Sequence, residues 1–69
     1  MTIEEYQKAI SKENVLNVKE EIRKNIVIES ILIDNNATAI LRAYDKVIKN
    51  YYLVVYYKFA DSGYLYKIV

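Results

Sequence analysis

Residues 51–60, YYLVVYYKFA, have fewer ways to fold than any other part of this chain. Lys58 is the only charged residue in the run. β-branched and aromatic side chains lose rotamer freedom in a helix and pack well on a pleated surface. The run is also too short and too evenly apolar for an amphipathic helix, so it reads as a strand. A single strand or hairpin is not stable alone in water. The rest of the chain must therefore complete a sheet and cover it.

NIVIESILI, residues 25–33, is β-branched and reads as a second strand. DNNA follows, and Asn tolerates the left-handed backbone of a primed turn, so Asn35-Asn36 fits a two-residue hairpin loop. TAILRAYDKVI then admits two readings. Its Ala, Leu and Arg, and the helical spacing of Ile40, Tyr44 and Val47, allow a helix over 37–49. As a strand it would pair Ile33 with Thr38, Ile31 with Ile40 and Glu29 with Arg42, the last an opposite-charge match across the ladder. The strand reading is preferred. After the tyrosine run, DSG suggests a three-residue turn with Gly63 left-handed, pairing Ala60 with Tyr64, Lys58 with Tyr66 and Tyr56 with Ile68.

The N-terminus reads as helix. Thr2 and Glu5 form a capping-box pattern, and Ile3, Tyr6 and Ile10 recur at helical spacing, which predicts a helix over roughly 3–11. SKENVLN weakens it, and helix resumes near Asn17, which can cap with Glu20 as its box partner. Val15, Val18 and Ile22 share a face of that second segment. The expected architecture is α+β over residues 1–69, an N-terminal helix or helix pair on a four-stranded antiparallel β-meander. The alternative, with 37–49 helical, leaves three strands.

Side-chain alternation then divides the sheet. One face would gather Ile26, Ile28, Leu32, Ala39, Leu41, Ala43, Val47, Leu53, Val55, Tyr57, Phe59, Leu65 and Val69 as core. Ile3, Tyr6, Ile10, Val18 and Ile22 would cover it, and Ala39 and Ala43 leave a helix room to approach. The other face would carry Arg42, Tyr44, Tyr52, Val54, Tyr56, Lys58, Tyr64, Tyr66 and Ile68, which are the candidate partner-binding residues. About 24 residues of helix cover only one face. The second face is therefore more apolar than a water-facing sheet surface should be. If the last hairpin loop has two or four residues instead of three, parity changes and Tyr64 and Tyr66 join Tyr57 inside. The ending YYLVVYYKFADSGYLYKIV resembles the last hairpin of cystatin-like and nuclear-transport-factor-like sheets, and it implies no function or site.

Composition narrows the function classes. The chain has no Cys and no His, which excludes a disulfide and leaves a zinc site without its usual ligands. The commonest nucleophile–base pairs are missing too. Glu4-Glu5 and Glu20-Glu21 suit first turns and ion pairs, while Asp34 and Asp61 suit turns, so no enzyme, cofactor or metal is expected. At 69 residues with no staple, association with another chain is the remaining reinforcement. Net charge is +1, with no basic block to mark a duplex-DNA binder. No membrane span or signal peptide is evident, so a cytoplasmic protein is expected.

The function expected is a non-catalytic protein–protein interaction module, homo-oligomeric or docking on a larger host protein. Small Cys-free chains rich in AT-rich codons are frequent among phage and mobile-element inhibitors, an analogy of type alone. The alternative is single-stranded nucleic acid, stacked on Tyr52, Tyr56, Tyr64 and Tyr66 with Arg42, Lys46 and Lys58 on phosphates.

Overall fold

Thr2 and Glu5 start the chain's first helix. The Thr2 hydroxyl accepts the Glu5 amide at 3.2 Å, and the Glu5 carboxylate accepts the Thr2 amide at 3.1 Å. Those two bonds, the one from the Thr2 amide foremost, lower the Glu5 pKa. In the computed structural model, which describes residues 1–12 and 15–68, this helix is α1, Ile3–Ser11. A four-residue helical turn, α2 (Glu20–Arg23), and four strands follow: β1 (Ile26–Asp34), β2 (Thr38–Asp45), β3 (Tyr51–Tyr57) and β4 (Ser62–Lys67). The strands form one antiparallel meander in the order β1-β2-β3-β4. The strand reading of residues 38–45 is thus the one the structure shows.

The core lies between this sheet and α1. Tyr6, Ala9 and Ile10 meet Ile26, Ile28, Ala39, Leu41, Ala43, Val54, Tyr56 and Leu65, all buried. Ala39 and Ala43 have no exposed surface, as close approach of a helix requires. Cover beyond α1 is thinner than expected. Ile3 and Ile22 are more than a third exposed, while Val15 is buried and Val18 half-buried. Asn17 caps no helix. The N-cap of α2 is Lys19, which makes no side-chain cap bond.

Each of the three turns departs from expectation, and each departure moves side chains between faces. In the first, Asn35 is an Asx turn. Its side-chain Oδ1 accepts the amides of Ala37 at 3.0 Å and Thr38 at 2.9 Å, and neither Asn35 nor Asn36 is left-handed. Two bulges in β1, between Ile28 and Ser30 and between Ile31 and Ile33, then shift the register. Val27–Tyr44 and Ile28–Ala43 pair as the expected register implies, but the loop end closes on Ile33–Ile40 and Asp34–Ala39. Leu32 falls at the second bulge and is 52% exposed instead of core.

In the second turn, β2 stops at Asp45. Its buried carboxylate accepts the amides of Val47 at 2.8 Å and Ile48 at 3.1 Å, and Lys49 takes a left-handed φ of 63°. Val47 is therefore in the turn and exposed. Tyr44 pairs with Tyr51, which sets Ala43 opposite Tyr52, Leu41 opposite Val54 and Ala39 opposite Tyr56. The expected faces of β3 are inverted. Tyr52, Val54 and Tyr56 point to the core, and Leu53, Val55 and Tyr57 point away.

In the third, the turn is the four residues Lys58–Asp61, with Asp61 left-handed at φ 46°. Phe59 sits at its tip, 88% exposed, and is not core. Gly63 is inside β4 opposite Tyr56, without positive φ. A Cβ there would lie 3.1 Å from the Val55 carbonyl oxygen, so close strand packing, not turn conformation, favours the glycine. This second parity change cancels the first. Leu65 faces the core, and Tyr64 and Tyr66 keep the outer face. Val69, placed in the core by sequence, lies outside the described residues.

Candidate functional site

The outer face of the sheet is built as four rungs across the strands. Val27, Tyr44 and Tyr51 form the first; Ser30, Arg42, Leu53 and Tyr66 the second. Ile33, Ile40, Val55 and Tyr64 form the third; Thr38, Tyr57 and Ser62 the fourth. Leu53 and Val55 lie at its centre, half-buried by their neighbours. Around them Ile33, Tyr51, Tyr57 and Tyr66 are each between 42% and 51% exposed. Among the described residues α1 and the buried Val15 pack on the opposite face.

The rings on this face hold one another. Tyr57 and Tyr64 meet edge to face at 6.2 Å, and Tyr44 and Tyr51 are tilted at 6.3 Å. The Arg42 guanidinium lies 5.1 Å from the Tyr51 ring centre, and its Nε is 3.7 Å from the Glu29 carboxylate. Glu29 and Arg42 miss the directly opposed register expected of them, because the first bulge puts Ser30 opposite Arg42, yet they still meet. Glu29, Tyr44, Lys49 and Tyr51 line an open depression of about 340 Å³ at this end.

Of the residues expected on this face, Arg42, Tyr44, Tyr64 and Tyr66 are there. Ile68 follows β4, 38% exposed, with its amide bonded to the Tyr51 carbonyl at 2.9 Å. Tyr52, Val54 and Tyr56 are not. Val54 has no exposed surface and Tyr52 packs against the core. Tyr56 stands edge-on to Tyr6 at 5.8 Å and donates its hydroxyl to Asp61. Burial, then that carboxylate, pushes its pKa up to about 12.

Lys58 is also elsewhere. It leaves the turn toward α1, pairs with the Asp34 carboxylate and lies 6.0 Å from the Tyr6 ring centre. The Lys58 bond, then Tyr6, holds Asp34 at about 2, and the same bond raises Lys58. The buried Tyr6 hydroxyl faces this pair without a well-formed hydrogen bond to either member. Its pKa is raised by burial first and then by Asp34. Lys46 lies in the second turn, where its amide bonds the Asn25 carbonyl at 3.0 Å. Sequence reasoning missed Tyr51, Leu53, Val55 and Tyr57 as outer-face residues. The one available signal was Asp45, whose Asx-turn chemistry ends β2 and sets the parity of β3.

Both edges of the sheet are engaged by side-chain amides acting as short strands. On β1, Gln7 donates to the Ile26 carbonyl and accepts the Ile28 amide, both at 2.8 Å. On β4, Asn17 donates to the Leu65 carbonyl at 2.6 Å and accepts its amide at 2.7 Å. Beside it the Leu16 amide bonds the Gly63 carbonyl at 2.9 Å. The rest of β1 carries the two bulges, which twist an edge out of register for another strand. Approach through an edge is obstructed, and the broad face is open.

Among the described residues, no three or more His, Cys, Asp or Glu cluster as a metal would need, and no helix is long and apolar enough to cross a membrane. Comparison with protein-family models, with curated proteins and with solved structures finds no match.

Proposed function

We propose that this protein is a non-catalytic protein-binding module of the cytoplasm whose docking surface is the outer sheet face. One observation carries the reading: rungs of Tyr, Leu, Ile and Val on a face that no described helix covers. Four strands ~4.8 Å apart and seven residues at ~3.3 Å make a patch of roughly 19 by 23 Å, about 440 Å² in projection. Ser30, Arg42, Thr38 and Ser62 take part of that footprint, and the rest is Tyr, Leu, Ile and Val; contiguous exposed apolar surface of a few hundred Å² on a soluble protein is commonly functional. Tyrosine suits such a surface, because it offers large contact area with few rotors and a polar tip. The non-catalytic part is supported by the structural partners of five acidic groups: Glu5 in a cap, Asp45 in a turn, Asp61 with Tyr56, Asp34 with Lys58 and Glu29 with Arg42.

Affinity capture with the wild-type chain and with Val55→Lys tests this. Protein partners held by the wild type should be lost from the variant while its circular dichroism is unchanged. Binding of a single-stranded oligonucleotide that falls steeply with salt would contradict the reading.

A further inference from the structure

Resting on the outer face as a docking surface, we propose that its occupant is a second copy of this chain, stacked sheet on sheet across a two-fold axis. Three observations favour a copy over a peptide strand or a charged partner. First, each edge is partly occupied, and the rest of β1 is bulged. Gln7 occupies the Ile26 and Ile28 positions and Asn17 the Leu65 position, so neither a β-strand peptide nor edge-to-edge pairing of copies finds a free ladder there.

Second, the face is self-complementary in character. Its centre, Leu53 and Val55, is apolar, and its charges are mixed: Glu29 beside Arg42, with Lys49 at the rim. Such a surface does not select a strongly acidic or basic partner, and a net charge of +1 repels a second copy little. Third, the area lies at the lower limit for a closed dimer. Two faces of roughly 440 Å² give about 900 Å² before side-chain relief is counted, close to the ~1,000–1,200 Å² at which specific interfaces begin. Aligned sheets pack ~10 Å apart, which lets Tyr51, Tyr57 and Tyr66 reach across the gap. A two-fold contact uses the same patch on both copies and closes, so it does not grow into a fibre.

Sedimentation equilibrium on the full chain, with Val55→Lys, Tyr57→Ala and Gln7→Ala, decides this. The expected wild-type mass rises with concentration from 8.1 kDa toward twice that value and stops. Val55→Lys and Tyr57→Ala should each raise the dimer Kd by about tenfold or more at unchanged circular dichroism. Tyr57 is already 42% exposed, so that variant remains informative if Val55→Lys fails to fold. A wild-type mass that stays at 8.1 kDa up to about 1 mM overturns the second-copy proposal, and the capture experiment then judges the docking face on its own. A dimer indifferent to both face variants overturns the second-copy proposal, and the capture experiment again judges the docking face on its own; growth beyond a dimer in Gln7→Ala alone supports the blocking of the β1 edge by Gln7.

Discussion

Replacing Tyr56 and Tyr57 in turn separates the two faces of β3, because adjacent residues of one aromatic pair do opposite work. Tyr56 is 5% exposed, stacks edge-on against Tyr6 and hydrogen-bonds Asp61. Truncating a buried aromatic side chain to Ala costs ~3–5 kcal/mol. A 69-residue chain has a total stability of only ~3–10 kcal/mol, so Tyr56→Ala should be largely unfolded at 37 °C. Tyr57 is 42% exposed on the outer face, and Tyr57→Ala should cost ~1 kcal/mol or less of monomer stability. Tyr56→Phe isolates the hydroxyl, and losing a hydrogen bond to a carboxylate should cost ~1–3 kcal/mol.

Urea unfolding followed by circular dichroism, at a concentration where association is negligible, reads all three variants. Alkaline pH adds a sign. The Tyr56 phenol is held protonated up to about 12 in the fold and to ~10 in the unfolded chain, so its contribution is complete below ~10 and lost as pH rises toward 12. Tyr56→Phe should make that limb shallower. Equal costs for Tyr56→Ala and Tyr57→Ala, or a larger one for Tyr57→Ala, would refute the assigned faces.

Three further outcomes follow from local geometry. Asp34, held at about 2 mainly by Lys58, stabilises the fold above the ordinary carboxylate pKa of ~4, and that contribution is lost as pH falls toward 2; Asp34→Asn should flatten the acid limb of a stability–pH profile. Lys49 carries a left-handed φ of 63°, so Lys49→Gly should raise the urea midpoint slightly, by up to ~1 kcal/mol of stability. Asn17→Ala leaves both Leu65 backbone groups unpaired and should cost ~1–3 kcal/mol, with faster hydrogen exchange at the Leu65 amide.

Local chemistry in this sequence was legible where one residue type determined one geometry. Thr2 and Glu5 announced α1, and β-branched runs announced β1 and β3. The small Ala39 and Ala43 marked where a helix comes close. The split of β3 between faces was not legible, because YYLVVYYKFA is apolar at both parities and has no period of its own. Its orientation is inherited from the turn before it. That turn is governed by Asp45, the one hint in the sequence, whose burial is a tertiary effect, and by a left-handed Lys49 that residue type does not announce.

Gly63 misled for a related reason. A glycine after Asp-Ser suggests a turn, whereas here it lets β4 pass close to Tyr56, and Asp61 takes the left-handed position. The bulges of β1 and the amide clamps of Gln7 and Asn17 depend on tertiary contacts up to 48 residues apart, beyond any local pattern. A tyrosine-rich face that no described helix covers survived these shifts, since both parities of β3 are apolar; four of its expected residues, Arg42, Tyr44, Tyr64 and Tyr66, lie on it.

A concentration series of amide and methyl NMR spectra tests most directly whether that face is where a second copy of this protein docks. The account predicts shifts and line broadening that grow with concentration at Leu53, Val55, Tyr57, Tyr64 and Tyr66, and silence at Gln7, Ile28, Asn17 and Leu65. Changes confined to the strand edges or to α1, or no change at any concentration, would contradict it.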